Sequence, residues 1–409
     1  MNELFLGLDL GTTSLIGRIW TTEGQVVAEA SCDNPQQQFG ADVIARMEAA
    51  LKGAADQLQA LLVDGINRLI ADLLKQVGAE PGWISAAAAA ANPAISLLLV
   101  RESVENVLQP PYRPDYRAGE ALGSGKLGID LPAPLLLLPL VSGYVGGDLL
   151  ALLLADPPKD GPTLYLDLGT NAELALWDGD SWLVTSVAAG PAFEAGNLGC
   201  GMRHGFGAVT EVGVLRDRFV YTVAGGGTPK GICGSGLFSL LSRAIQSGLI
   251  AIDGRIKEAS EVDSNLSRYL VADENGPALQ LYRDARTCLR LTQDDVRAFQ
   301  LAKGAVLAGV NCLLERKGIQ AEQLASVRLA GALGGALPAE ALKGVALLPE
   351  NVIDKCRFLP GAVLIGLQRV LQRKDGLEQA RQLATELKPY PLSGTPAFEK
   401  AFLGSLDFS

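Results

Sequence analysis

The sequence has no CxxC motif, a single histidine (His204) and no basic block. Its six cysteines, Cys32, Cys200, Cys233, Cys288, Cys312 and Cys356, lie far apart, so no zinc or iron–sulphur site is expected from local ligand spacing. Such usage fits a reduced, cytoplasmic setting. The formal net charge of -10 is spread along the chain, which argues against partners such as nucleic acid or an anionic membrane surface. Membrane spans are not expected either. Gly82 to Val100 is broken by Asn92-Pro93, and Leu131 to Leu154 holds three prolines, three glycines and Asp148. At the start, Asn2 and Glu3 precede a run of strand length with no small-residue cleavage site, so no signal peptide is expected.

What is present is apolar bulk: 409 residues, 48% hydrophobic, enough for two or three domains with large cores. Short apolar runs alternate with longer helical stretches, the pattern of an α/β architecture. Leu4–Gly11, Ile16–Trp20 and Val26–Ala30 read as a strand meander with a Glu23-Gly24 turn. Ala41–Lys75 reads as one or two amphipathic helices, Trp83–Ala91 and Leu135–Val141 as buried strands, and Gly143–Ala155 as a small-residue helix. The Pro- and Gly-rich stretch 156–162 is the best boundary, giving domains at 1–158 and 159–409.

After that boundary the opening repeats. Asp9-Leu-Gly-Thr-Thr13 and Asp167-Leu-Gly-Thr-Asn171 each join two apolar strands. A carboxylate in a buried strand is costly unless something pairs with it. Two such turns on opposed lobes would bring Asp9 and Asp167 together across a cleft, where backbone N–H groups and hydroxyls hold phosphates. The acids would then bind a hydrated Mg2+. Gly11 and Gly169 let a phosphate approach the backbone.

The duplicated turn resembles the superfamily of actin, sugar and acetate kinases and heat-shock chaperone ATPases. That resemblance implies an actin-like ATPase fold, two ribonuclease-H-like lobes around a cleft for MgATP. It makes the turns phosphate-1 (Gly11, Thr12, Thr13) and phosphate-2 (Gly169, Thr170, Asn171). Arg328-Leu-Ala-Gly-Ala-Leu-Gly-Gly-Ala-Leu337 looks like the adenosine motif, with Gly331, Gly334 and Gly335 beside the nucleotide. Ser142–Ala151 and Phe299–Lys317 look like the two interdomain helices, and the C-terminal tail is expected to pack on the first lobe.

A nearer resemblance is to the reductive activators of corrinoid proteins. It rests on Asn34-Pro-Gln36 with Gly40-Ala-Asp-Val-Ile44, Asp167–Asn171, Ala189-Gly-Pro-Ala-Phe-Glu194, Cys200-Gly-Met-Arg203, Gly231-Ile-Cys-Gly-Ser-Gly236 and Ala302-Lys303. It implies an ATPase that drives reduction of Co(II) to Co(I) in a corrinoid client protein. Members commonly carry an iron–sulphur domain ahead of phosphate-1, which here starts at residue 4, so a separate ferredoxin-like electron donor is expected. The sequence leaves monomer and homodimer open, and also leaves open a small-molecule kinase or an ATP-binding module without turnover.

Individual residues carry two readings each. Asp148 is a capped acid or the interdomain-helix carboxylate that acts with Asp9 and Asp167 on water and Mg2+. Glu173 faces solvent on a strand or joins the site; Glu194 is a helix-start charge or meets ribose hydroxyls. Cys200 and Cys233 are small buried hydrophobes or redox thiols. Gly234 and Ser235 open a helix at about Leu237–Ser247 whose N–H groups could approach the nucleotide. Lys303 points into the cleft or lies on a wet face.

Overall fold

Leu4, Leu6, Leu8 and Leu10 alternate with other residues, and in the computed structural model they form one buried face of strand β1 (Leu4–Leu10). Residues 3–409 are described, apart from Pro111, Asn197, Asn275, Ala332 and 334–336. β2 (Ser14–Thr21) and β3 (Val26–Asp33) complete an antiparallel meander, the second turn closed by Gly24 N–H donating to Thr21 O at 2.9 Å. Helix α1 (Val43–Ala49) follows, capped by the Asp42 carboxylate, and then α2 (Ala55–Val77). Gly53, at φ 100°, breaks the two apart, so of the one or two helices expected over Ala41–Lys75 there are two. α2 turns Leu58, Leu62, Ile66, Leu69 and Leu73 towards the leucine face of β1, the i, i+4 spacing of an amphipathic helix.

Strand β4 (Ile84–Ala91) runs parallel to β1, with Gly7 opposite Ala88 and Asp9 opposite Ala90. Asn92 caps helix α3 (Pro93–Val100), and β5 (Glu120–Leu122) and β6 (Leu135–Leu137) complete a sheet of order β3-β2-β1-β4-β6-β5. The strand expected over Leu135–Val141 is therefore only three residues long. Beyond it Val141 and Ser142 both donate N–H to Val145 O, a turn that also delays the small-residue helix to α4 (Gly147–Ala155).

The second half repeats this plan. β7 (Thr163–Leu168), β8 (Asn171–Trp177) and β9 (Trp182–Ala188) follow one another. Two small sheets come next: β10 (Ala208–Val214), β11 (Phe219–Val223) and β12 (Gly231–Ile232); then β13 (Leu270–Asp273), β14 (Gly276–Arg283) and β15 (Cys288–Leu291). Helix α5 (Gly234–Gln246) lies between them in the chain, starting three residues earlier than expected. α6 (Gln293–Lys317) is a 25-residue helix opened by a Thr292/Asp295 capping box and closed by Gly318. β16 (Ser326–Ala330) and β17 (Cys356–Phe358) lie parallel to β7 on its far side and β18 (Leu387–Pro389) lies parallel to β9, giving the order β17-β16-β7-β8-β9-β18. Its first five strands match β6-β4-β1-β2-β3, so the duplication in the sequence is a duplication of topology.

By contacts the chain divides into two units. Unit 1 takes residues up to Lys159, Ser181–Thr185 and Gly361–Tyr390; unit 2 takes Asp160–Asp180, Ser186–Pro360 and Pro391–Ser409. Within unit 1, helices α7 (Ala362–Gln372) and α8 (Gly376–Glu386) cover the sheet face opposite α2, where Trp20, Ala88, Ala90 and Leu138 meet Val363, Leu364 and Leu367, and the chain then enters β18 beside Trp182–Val184 of β9. The tail of the chain, with helix α9 (Pro396–Leu403), belongs to unit 2. Among the described residues no helix is long and apolar enough to cross a membrane.

Small residues let α7 and α4 touch through their backbones: a Cβ on Gly366 would stand 1.9 Å from Ala151 O. Gly366→Ala is expected to destabilise the protein by about 2–3 kcal/mol, the overpacking cost of a rigid contact. Gly82→Ala, with nothing within 4 Å of its added Cβ, is expected to change stability far less. Denaturant unfolding of the two variants checks this.

Candidate functional site

In unit 1 the first turn is held by carboxamides. Gly11 N–H donates to Ser14 O at 2.9 Å, closing the hairpin. The Asn34 side chain donates Nδ2–H to Gly11 O at 2.9 Å, and Asn34 N–H donates to Thr13 O at 3.0 Å. Gln37 Nε2 reaches the same Thr13 carbonyl at 2.6 Å, and Asn92 Nδ2 donates to Thr12 Oγ1 at 3.1 Å. Asn34 and Asn92 share one local design. Each caps a helical turn with its Oδ1, accepting from Gln36 N–H and Ile95 N–H respectively, and each is followed by a proline at the first helical position. The cap fixes the carboxamide, which leaves its NH2 aimed at the Gly11–Thr13 turn. The repeated Asn-Pro pair is the sequence signal for these two residues, and it marks them as caps without showing what their carboxamides hold.

Asp9 is half-buried near the carboxyl end of β1, where the parallel strand β4 ends alongside it. Asp148 arrives at the same edge. Gly146, just before α4, lies so near the end of β4 that a Cβ on it would stand 2.4 Å from Ala91 O and 2.7 Å from Asn92 Cα. Asp148 Oδ1 accepts Leu149 N–H at 2.9 Å, and burial nevertheless pushes the carboxyl up to about 6. Unit 1 thus collects two acids, two hydroxyls and a pinned turn at the carboxyl ends of its parallel strands, the edge at which open α/β sheets bind ligands.

In unit 2 Asp167 stands opposite Ala330 of β16 and opposite Glu173 of β8, so two acids share one cross-strand position. Glu173 is buried, not solvent-facing, and Ser186 Oγ donates to its Oε1 at 3.3 Å. Thr170 donates both its N–H (3.0 Å) and its hydroxyl (3.2 Å) to Glu194 Oε1, and Gly190 N–H donates to Thr170 O at 2.8 Å. Glu194 therefore braces the second turn directly, a use that competes with the expected ribose contact. Asn171 opens β8 beside it.

The glycine-rich turn after β16 leans on the same place. Gly331, at φ 127°, has Leu168 O 2.2 Å from where a Cβ would be. Gly234 is equally constrained, 2.1 Å from Phe193 O, and Ser235 donates its N–H to Leu333 O at 2.7 Å and its hydroxyl to Thr210 O at 3.0 Å. The Ser235 amide, expected to face a nucleotide, instead holds the glycine-rich turn. Unit 2 thus brings together Gly169, Thr170, Asn171, Glu194, Gly234, Ser235 and Gly331; Gly334 and Gly335 lie outside the described residues. Asp9, Gly11, Thr12, Thr13 and Asp148 belong to unit 1 and Asp167 to unit 2.

Other candidates have different employment. Lys303 is fully buried, neither in a wet face nor on the Thr170 turn, and donates to Ala346 O and Asp407 O; burial pulls its ammonium down to about 8. Cys200 is buried and its thiol is pushed up to about 12, so it is protonated at neutral pH, as an inert core cysteine would be. Cys233 is also buried, with Sγ 3.3 Å from Val209 O. Among the described residues no group of three or more His, Cys, Asp or Glu could hold a metal ion by itself. A hollow of about 650 Å3 in unit 1, lined by Leu153, Trp182, Arg369, Gln379 and neighbours, includes none of the turn residues.

Residues 161–409 match the family described as the C-terminal domain of RACo, the ASKHA domain, and residues 4–157 match the RACo middle region. The chain is 30% identical over 393 residues to the corrinoid activation enzyme RamQ of Eubacterium limosum, covering 90% of this chain and 64% of that protein. It is 26% identical over 275 residues to the Co(II) methylated amine-specific corrinoid protein reductase of Methanosarcina barkeri, covering 61% of this chain and 47% of the relative. Among solved structures, a reductive activator for corrinoid, iron-sulfur protein superposes with a TM-score of 0.92 at 27% identity, covering 99% of this chain and 66% of that one. The chain thus spans less than two thirds of each relative's length. The fold is that of the ASKHA ATPases, in agreement with the actin-like architecture expected from the sequence.

The raised Asp148 carboxyl fixes a sign. The folded state keeps a proton that the unfolded chain releases, so this group's contribution to stability falls as pH rises towards about 6 and is lost above it. Asp148→Asn, which keeps the bond from Leu149 N–H, is expected to melt at a higher temperature than the parent at pH 8, with a smaller gain at pH 5. Paired thermal melts at the two pH values check it.

Proposed function

Because the chain belongs to the RACo family, through the RACo middle region and C-terminal ASKHA domain, we propose that it is a MgATP-dependent ATPase that serves the reductive activation of a Co(II) corrinoid protein in the cytoplasm. The electron donor is a separate ferredoxin-like protein, and lobe closure is the coupling step in the same proposal. The observation that carries the nucleotide part is the duplicated turn, each copy ending a buried strand with a carboxylate and each braced from its flanks.

The residues suit a metal that arrives with its nucleotide. Mg2+ is commonly held by one or two carboxylates plus substrate phosphates and water, with no all-protein cage. The described residues offer strand-end acids singly or in pairs, with no cluster of three. Asp9 and Asp167 are the proposed ligands, and Glu173 opposite Asp167 adds negative charge that a divalent cation offsets. Bound there, Mg2+ supplies electrostatic stabilisation of the phosphoryl group.

The chain's own groups do the rest. Thr12, Thr13 and Thr170 with the glycine backbones of both turns bind phosphate oxygens, and Gly331 lets the base and ribose lie against the chain. Asp148, once deprotonated above about pH 6, accepts a proton from the attacking water. Its N-terminal place on α4 fixes it at the strand ends where that water is needed.

The test is Mg-dependent ATP hydrolysis, alone and with a Co(II) corrinoid protein plus a low-potential donor, while the cobalt spectrum is followed. Slow hydrolysis alone, stimulation by the corrinoid protein and appearance of Co(I) are expected, and Asp9→Asn or Asp167→Asn should lower the rate about 100-fold. Full-rate phosphoryl transfer to a small acceptor without any partner would replace this reading with a kinase. Tight nucleotide binding that both variants leave without consequence would replace it with a binding module.

A further inference from the structure

The last residues of the chain lie close to the turn that holds Thr170, by way of four phenylalanine rings. Phe193, immediately before Glu194, has its ring centroid 5.3 Å from that of Phe238 on α5 and 5.6 Å from that of Phe299 on α6. Phe238 and Phe299 meet edge to face at 4.9 Å, and Phe408 in the tail stands 6.3 Å from Phe299. All four rings are buried. The tail is anchored there by polar bonds. The fully buried Lys303 ammonium donates to Asp407 O and lies over the Phe408 ring at 5.6 Å, Gln300 Nε2 donates to Leu406 O at 3.1 Å, and Phe408 N–H donates to Ile252 O at 2.8 Å.

Phe193 is the junction. Its carbonyl lies under Gly234, its ring closes the aromatic group, and the next residue accepts both donors of Thr170. Displacing Phe299 towards a space left by Phe408 removes one wall from the Phe193 ring, and so frees the Pro191–Glu194 turn to shift. Resting on the ATPase reading above, we propose that the C-terminal tail is a positioning element for the nucleotide site: Phe408, seated by Lys303, sets the Thr170 turn through Phe299, Phe193 and Glu194.

The step acts on binding, since Glu194 orients the turn before any chemistry begins. Phe408→Ala is expected to raise the dissociation constant and KM for MgATP about 5-fold or more with little change in kcat. In nucleotide-free protein, hydrogen exchange at the Thr170 amide should quicken about 10-fold. Phe408→Leu, which refills part of the space, should recover most of both, and serves as the test variant if the alanine variant does not fold. Leu270→Ala, a buried site on β13 outside this path, is the control: it should lower the melting temperature and leave Thr170 exchange and KM unchanged. A Phe408 variant that melts earlier yet keeps parental Thr170 exchange overturns the proposal. Failure of the parent protein to bind MgATP overturns the nucleotide reading alone, because the exchange measurement decides the tail coupling without nucleotide.

Discussion

Backbone meeting backbone, with no side chain between, is the constraint on which unit 2 depends. Leu168 O occupies the space that any Cβ on Gly331 would need, and Phe193 O does the same to Gly234. These two approaches let four chain segments share one small volume: the Asp167–Asn171 turn, the Pro191–Glu194 turn, the start of α5 and the turn after β16. Hydrogen bonds then set the details, Thr170 to Glu194 and Ser235 to Leu333. Unit 1 solves the same problem with side chains. Two asparagines, each immobilised as a helix cap, reach back to the Gly11–Thr13 turn.

The physical reason an acid is tolerated in each apolar strand follows from position. Asp9 and Asp167 sit near the carboxyl ends of strands whose earlier residues are closely packed, and both are only half-buried. Their neighbours on the parallel strands are small, Ala90 and Ala330, and on the antiparallel strands they are Ile16 and Glu173, so the carboxylates stand at the carboxyl ends of the strands and not within a core. Asp148 stands at a helix start in contact with the end of β4, where burial pushes its carboxyl up to about 6.

Much of the architecture was legible because it is written locally. Leu4–Leu10 and Thr163–Leu168 declare themselves by apolar content and a following glycine turn, and α6 announces both its ends with Thr292, Asp295 and Gly318. The ASKHA fold follows from that repetition. What could not be read depends on partners that no local pattern announces. Lys303 looks like any helical lysine until Asp407, more than a hundred residues on, supplies its acceptor, and Glu173 looks solvent-facing until Ser186 covers it. The shortening of β6 at Leu137 depends on bonds to Val145 that a hydrophobic run does not display. At the site, the turn residues were conspicuous by composition, whereas Asn34, Asn92 and Phe193 were not, since their work is to hold other residues in place.

Strand β4 offers a last consequence. Six consecutive alanines, Ala86 to Ala91, read in isolation as featureless filler, the sort of stretch in which drift would be free. In the fold Ala87 to Ala91 are a thin plate between α2 on one side and α4 with α7 on the other, and the closeness of those helices is set by methyl groups. Every enlargement there would wedge a layer apart and carry Asp148 away from the strand ends. The plainest segment of the sequence is therefore among the least free to vary, and its tolerated alphabet should shrink to alanine, glycine and serine.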